Sequence, residues 1–337
     1  MTQDSSRKFV TLGMFIIDEL VYDAGRITRE QIGGGGTYAT IGARIWLPPH
    51  EVGMIVDRGY DFPLDIQTKL EKYGTDMWYF HDDQSRVTTR ARNTYIGDSR
   101  GFEYLTPRRR ITPRDLEGTT LARPVILHFI CSPTRANAIM SEVLEIPEWT
   151  PKAIYEPIPD RCVPEELPSL IKVLPRIDIL SPNADEALSL LSLTGPATQE
   201  QVEAAADRFL ELGVGPEGNG YVIIRSGALG AYVASRTRPG RWFDAYWTKD
   251  DAPHIVDVTG AGNAFLGGLA AGLHFTDGDP YEAMLYASVS ASFIIEQEGL
   301  PSLAVSEVTQ SETRPGELWN GELPVERLEK LRKRIQQ

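Results

Sequence analysis

Residues 256–273 read VDVTGAGNAFLGGLAAGL. The segment opens on a short apolar edge, passes through Gly260-Ala261-Gly262, and runs on through small residues that predict a helix. Glycines just ahead of a helix N-terminus let backbone N–H groups point outward, where the helix dipole favours negative charge. A phosphoryl group in transfer needs a donor set of that kind, already oriented. Gly267, Gly268, Ala270, Ala271 and Gly272 carry little side-chain bulk, so this helix can pack close to a sheet. A tight strand-to-helix turn without any ligand shows the same glycines, and the segment alone leaves both readings open.

Outward from it, short apolar runs recur at residues 9–17, 52–56, 77–80, 125–130, 153–155, 177–180 and 221–224. Most are continuous rather than alternating, as in strands buried on both faces of a parallel sheet. Segments with helical spacing lie between them, among them 184–193 and 201–212. The alternation predicts an α/β fold, a doubly wound, mostly parallel sheet with helices on both faces. Residues 86–105 (RVTTRARNTYIGDSRGFEYL) break the rhythm, being polar, partly alternating, and turning at residues 97–101. This is a hairpin signal. A small β lid, with residues 22–31 as partner strand, and a plain surface hairpin both satisfy it. The charged amphipathic stretch 325–337 is expected to pack Leu328 and Leu331 on the body.

The chain has 337 residues with 34 Lys+Arg against 47 Asp+Glu, a formal charge of −13, and 42% hydrophobic residues. There is ample apolar surface for a core, which excludes disorder over most of the chain. The negative balance argues against a general nucleic-acid binder and against anionic membrane surfaces. Arg108-Arg109-Arg110 does not alter that, and a solvated loop between Pro107 and Pro113 is the expectation, with phosphate binding as the alternative. Two cysteines, Cys131 and Cys162, read as buried or half-buried thiols. The first eight residues are polar, and no apolar run approaches the roughly 18 residues that cross a bilayer, so a soluble, cytoplasmic protein is expected. The five histidines show no transition-metal spacing.

The DVTGAG segment with its small-residue helix resembles the second signature of the ribokinase-like (PfkB) family of carbohydrate and nucleoside kinases. Other segments match in the family's order. GMFIID, ending in Asp18, resembles the opening strand whose closing Asp contacts substrate hydroxyls. GGGGTYA, with Gly34, Gly35 and Tyr38, resembles the glycine-rich substrate motif at the start of a long helix. Asn183-Ala184-Asp185-Glu186 resembles the N-x-x-E motif that positions Mg2+ and phosphate. Arg225-Ser226-Gly227-Ala228-Leu229-Gly230 resembles the nucleotide loop, and residues 287–301 the helix and turn beside the adenine. The resemblance runs from about Phe9 to Pro301.

It implies a single domain over residues 1–337, with lid segments at about 19–32 and 86–106, and ATP- and Mg2+-dependent phosphoryl transfer to a hydroxyl of a sugar-like or nucleoside-like molecule. Gly260, Ala261 and Gly262 would form the anion hole. Asn183 and Glu186 would organise Mg2+, the latter indirectly. Arg225, Gly227, Gly230 and Thr259 would border the nucleotide, and Asp257 would serve a monovalent cation such as K+. Family members often dimerise through the lid, so a homodimer is a further implication. For several of these residues the plain chemistry offers another role. Asn183 is a good helix cap, Glu186 suits a first turn, Gly227 and Gly230 suit turns, and Asp18 suits a solvated loop.

The sequence departs from the family where the chemistry is most demanding. The family carries an Asp as base after G-A-G, and here the residue is Asn263. An amide can orient an alcohol but has no proton acceptor that titrates near neutrality. General base catalysis is worth about 10²–10⁴-fold, so a slow enzyme is implied, with Asp18 the candidate substitute. Tyr38 falls near the place of a sugar-binding Asn, and Ile16 replaces a polar residue of the first strand. These departures resemble a fungal, maintenance-of-killer-type branch of the family. Two readings stand: a weakened small-molecule kinase, and a catalytically impaired kinase-fold protein that binds a nucleotide or metabolite or acts as a scaffold.

Overall fold

The computed structural model describes residues 6–22, 30–96, 99–305 and 316–335. The first strands in chain order are β1 (Phe9–Thr11), β2 (Ile16–Tyr22), β3 (Gln31–Gly33), β4 (Val52–Gly59), β5 (Trp78–Asp83), β6 (Arg90–Ile96) and β7 (Ser99–Tyr104). There follow β8 (Ile126–Cys131), β9 (Lys152–Pro157), β10 (Ile179–Leu180), β11 (Tyr221–Arg225), β12 (Ala231–Ser235) and β13 (Arg241–Phe243). Nine of them form one sheet in the order β13-β12-β11-β10-β9-β8-β1-β4-β5. It is parallel from β5 to β11, and β12 and β13 add an antiparallel edge. That edge was not read from the sequence, although residues 231–234 (AYVA) form a short apolar run of the kind read as strands elsewhere. Separate hydrophobic clusters fill the two faces of the sheet, as the continuous apolar strands require.

The run 9–17 is two strands rather than one. Residues 9–11 stay in the main sheet, and the chain then leaves it past Gly13. From Ile16 it enters a second sheet of order β3-β2-β6-β7. There β2 pairs in parallel with β6 and antiparallel with β3, and β6 and β7 form the expected hairpin with Ala91 opposite Tyr104. The hairpin residues 97 and 98, and residues 23–29 of the expected partner segment, lie outside the described residues. The second sheet is the small β lid of the sequence reading.

Two helices govern the site. Helix Gly35–Arg44 and helix Ala261–Phe275 pack backbone to backbone, because a Cβ on Gly267 would collide with the Ala39 carbonyl and one on Gly42 with the Ala264 backbone. This close approach sets their N-termini side by side. Beyond them, helix Pro280–Ile294 completes that layer, and helix Pro324–Ile335 closes it, with Leu328 and Leu331 buried as its amphipathic spacing demands.

Candidate active site

A cavity of about 950 Å³ opens at the carboxyl ends of the parallel strands. Strand order reverses at β1, and in open α/β sheets such switch points leave a crevice for ligands. The cavity brings together, in one lining, Asp18, Gly34, Gly35, Tyr38, Asn183, Glu186, Arg225, Gly227, Gly230, Thr259, Gly260, Ala261, Gly262 and Asn263. Of the residues singled out in the sequence for a site, only Asp257 lies outside it. Its carboxylate accepts from the Thr259 N–H at 2.9 Å.

At the centre, Gly260 caps helix Ala261–Phe275 with φ 80°, a left-handed conformation that glycine adopts without strain. A Cβ there would also strike the Tyr38 ring, so the turn and the buried tyrosine select glycine together. The Ala261 N–H bonds to Val258 O, while Gly262 and Asn263 occupy first-turn positions whose N–H groups have no intrahelical acceptor. These donors and the positive end of the helix dipole suit a phosphate.

Asn183 and Glu186 form a reciprocal cap at helix Ala184–Leu190. The Glu186 N–H donates to Asn183 Oδ1 at 2.8 Å, and the Asn183 N–H to Glu186 Oε2 at 2.7 Å. Both also line the cavity, so the capping role and a ligand-facing position coexist. Burial raises the Glu186 carboxyl to about 7, with Arg225 opposing and Glu156 adding to the rise.

A charge cluster absent from the sequence reading fills the floor. Asn263 Nδ2 donates to Glu156 Oε2 at 2.9 Å. Arg225 Nη1 lies 2.9 Å from Glu156 Oε1, its Nη2 lies 3.7 Å from Glu186 Oε2, and the same Nη2 donates to Ser181 O at 3.0 Å. His128, fully buried, places Nε2 3.5 Å from Glu156 Oε2 and pairs Nδ1 with Thr11 Oγ1 at 2.9 Å. Burial pushes the Glu156 carboxyl up, but Arg225, with His128 and Asn263, outweighs it and holds the group below the ordinary carboxylate range. Arg225 lies over the start of the helix, since a Cβ on Gly262 would collide with its Nη1.

Asp18 is 4% exposed, in register with Gln31 and packed against Gly33. The lid end of the cavity is also lined by Met14, Ile16, Tyr38, Phe102 and Ile130, with the carboxylates Glu103 and Asp160 among them. Arg108 also lines it, its guanidinium 4.3 Å over the Tyr104 ring, so the first arginine of the 108–110 run is not simply solvated. At the far end Trp247, stacked on His254 at 4.1 Å, and Tyr246 form an aromatic wall. The buried Arg327 backs that wall through a 2.8 Å ion pair to Glu296. Both cysteines are free and buried, and burial pushes Cys131 up to about 12, so neither offers a thiolate. Among the described residues no helix is long and apolar enough to cross a membrane.

A nine-stranded doubly wound sheet with a four-stranded lid and a glycine-capped helix facing the crevice defines a ribokinase-like, kinase-type fold. The profile described as pfkB family carbohydrate kinase matches residues 151–305. The chain is 34% identical over 339 residues to the uncharacterized protein C16C9.01c of Schizosaccharomyces pombe, covering 95% of this chain and 91% of that one. It is 35% identical over 316 residues to Protein MAK32 of Saccharomyces cerevisiae, covering 87% and 85%. Ribokinase from Cryptococcus neoformans in complex with ADP shares the fold, with a TM-score of 0.64 at 19% identity over 88% of this chain and 95% of that one. The chain belongs to the pfkB carbohydrate kinase family, in a fungal branch.

Proposed function

We propose that the chain works as one ribokinase-like domain that transfers the γ-phosphoryl group of ATP to a hydroxyl of a sugar-like or nucleoside-like small molecule. The observation that carries this reading is the single cavity that joins the Gly260–Gly262 helix start to both an acceptor end and an aromatic far end. The N–H groups of Gly262 and Asn263 and the helix dipole stabilise the charge of the transferring group. Gly227, Gly230 and Thr259 border the nucleotide, and Arg225 neutralises phosphate charge. Asp18, Gly34, Gly35 and Tyr38 hold the acceptor, and Asn263 orients its hydroxyl.

The donor set fits Mg2+. Asn183 and Glu186 present an amide and a carboxylate to the phosphate region, and Glu186 gains its charge near neutrality. When bound, Mg2+ supplies charge neutralisation on the phosphates. Asp257 is the side chain proposed for a monovalent cation, K+, beside the anion hole. Closure of the lid sheet excludes water from the acceptor.

A second reading, a binding protein without turnover, is favoured by Asn263 itself and by the Arg225–Glu156 pair lying across the helix start. Calorimetric titration with ATP and ADP, with and without Mg2+, tests the nucleotide site. Saturable binding with a Kd of about 100 μM or tighter, strengthened by Mg2+, is expected for ATP. An absence of heat up to about 1 mM overturns both the kinase reading and a nucleotide-binding one.

A further inference from the structure

We infer that Glu156 is the proton acceptor of the site, held against the acceptor position by Asn263. The inference rests on the phosphotransferase reading above and adds a residue to it. Asn263 stands where the acceptor end meets the helix start, because a Cβ on Gly35 would lie 3.1 Å from its Nδ2. Its amide cannot take a proton. The carboxylate that touches it is Glu156, at the carboxyl end of β9, and Glu156 also lines the cavity.

The surroundings of Glu156 explain how a buried carboxylate stays charged there. Arg225 and the Asn263 amide each place an N–H group 2.9 Å from one of its oxygens, and His128 stands 3.5 Å from Oε2. A carboxylate buried without such partners takes up a proton instead. Counter-charge for Arg225 alone does not require this geometry, since Ser181 O and Glu186 also face the guanidinium.

In the step itself, the acceptor O–H bond breaks and its proton passes to Glu156. The freed oxygen pair forms the bond to the γ-phosphorus of ATP, and the bond from that phosphorus to the β–γ bridging oxygen breaks, with its electrons leaving on ADP. The proton on Glu156 is afterwards released to solvent. Attack through a loose transition state asks little basicity of the acceptor, so a carboxylate held below its ordinary range suffices.

The test measures ADP release from Mg-ATP, with water alone and with ribose or adenosine as acceptor, alongside calorimetric ADP binding. Glu156→Gln is expected to lower kcat by about 10²–10⁴-fold while ADP affinity stays within about threefold of wild type. Moving the carboxylate in the double variant Glu156→Gln/Asn263→Asp is expected to restore at least about tenfold of that loss, and to gain at least about tenfold more from Asn263→Asp than wild type does, where Glu156 already takes the proton. Should Glu156→Gln not fold, Glu156→Asp keeps the charge and withdraws it by one methylene. Its expected signature is a drop in kcat of about tenfold or more with KM unchanged. Wild-type turnover in Glu156→Gln or Glu156→Asp overturns the inference. Wild type that binds ADP but never turns over Mg-ATP also overturns it, leaving the nucleotide site standing. Wild type that binds no nucleotide sinks the phosphotransferase reading itself.

Discussion

The glycine start of helix Ala261–Phe275 and the carboxylate cluster beside it face the same cavity, one built from backbone and the other from side chains. The helix start offers N–H groups whose direction follows from a left-handed glycine and a first turn. No side chain has to be charged for it to work. The cluster is the opposite case. Glu156, Arg225 and Glu186 are each buried or nearly so, and each is tolerable there because of the others. The backbone half should therefore respond to substitutions mainly through binding, and the side-chain half through stability and pH as well.

The largest expected effect breaks the side-chain half. Arg225→Met removes the cation between two buried carboxylates, and such uncompensated burial costs about 3–5 kcal/mol. Urea unfolding should show that loss, and a loss below about 1 kcal/mol would mean that water already screens the cluster.

The next effect is in pH. The folded Glu186 carboxyl lies at about 7, above its unfolded value of 4.5, so folding favours the neutral form. Its contribution is therefore fully present below about pH 4.5 and is lost as pH rises towards 7. The loss is on the order of 3 kcal/mol across that interval. In Mg2+-free buffer, wild type measured against Glu186→Gln should show this difference in slope. Parallel pH–stability curves would place the Glu186 carboxyl near its unfolded value.

The smallest effect sharpens the contrast from the backbone side. Asn183→Ala removes one half of a reciprocal helix cap and should cost about 1 kcal/mol of stability. If the Mg2+-dependent part of ATP binding falls with it by more than about tenfold, Asn183 faces the ligand as well as the helix. A purely structural cap would leave that binding unchanged.

Much of the site was legible because its parts are local in sequence. Gly260-Ala261-Gly262 and its helix, the Asn183–Glu186 pair, and the Arg225–Gly230 loop are each contained within a few residues, and each signals through turn or capping chemistry. Glu156 was not legible. It sits in YEPIP, one acidic residue at the end of a short strand, and nothing nearby in sequence marks it. His128, equally silent, reaches it only because β8 and β9 run side by side with His128 opposite Ile154. The division of residues 9–17 between two sheets was hidden for a related reason. Both strands are apolar, and only Gly13 hints that the chain changes sheets between them.

By itself the sequence determined the α/β class and the glycine start of a small-residue helix, which follow from periodicity, composition and short-range backbone preference and need no knowledge of distant contacts. The asparagine in place of the usual base, Asn263, was legible through the family resemblance of that segment. Only the tertiary structure decided that the Glu156 carboxylate stands beside that asparagine. Residues 156, 225 and 263 come from β9, β11 and a helix far apart in the chain. Strand order and the close approach of two helices through Gly42 and Gly267 bring them within hydrogen-bonding distance. A buried charge cluster is a property of that convergence, because each member's ionisation depends on neighbours supplied by other strands.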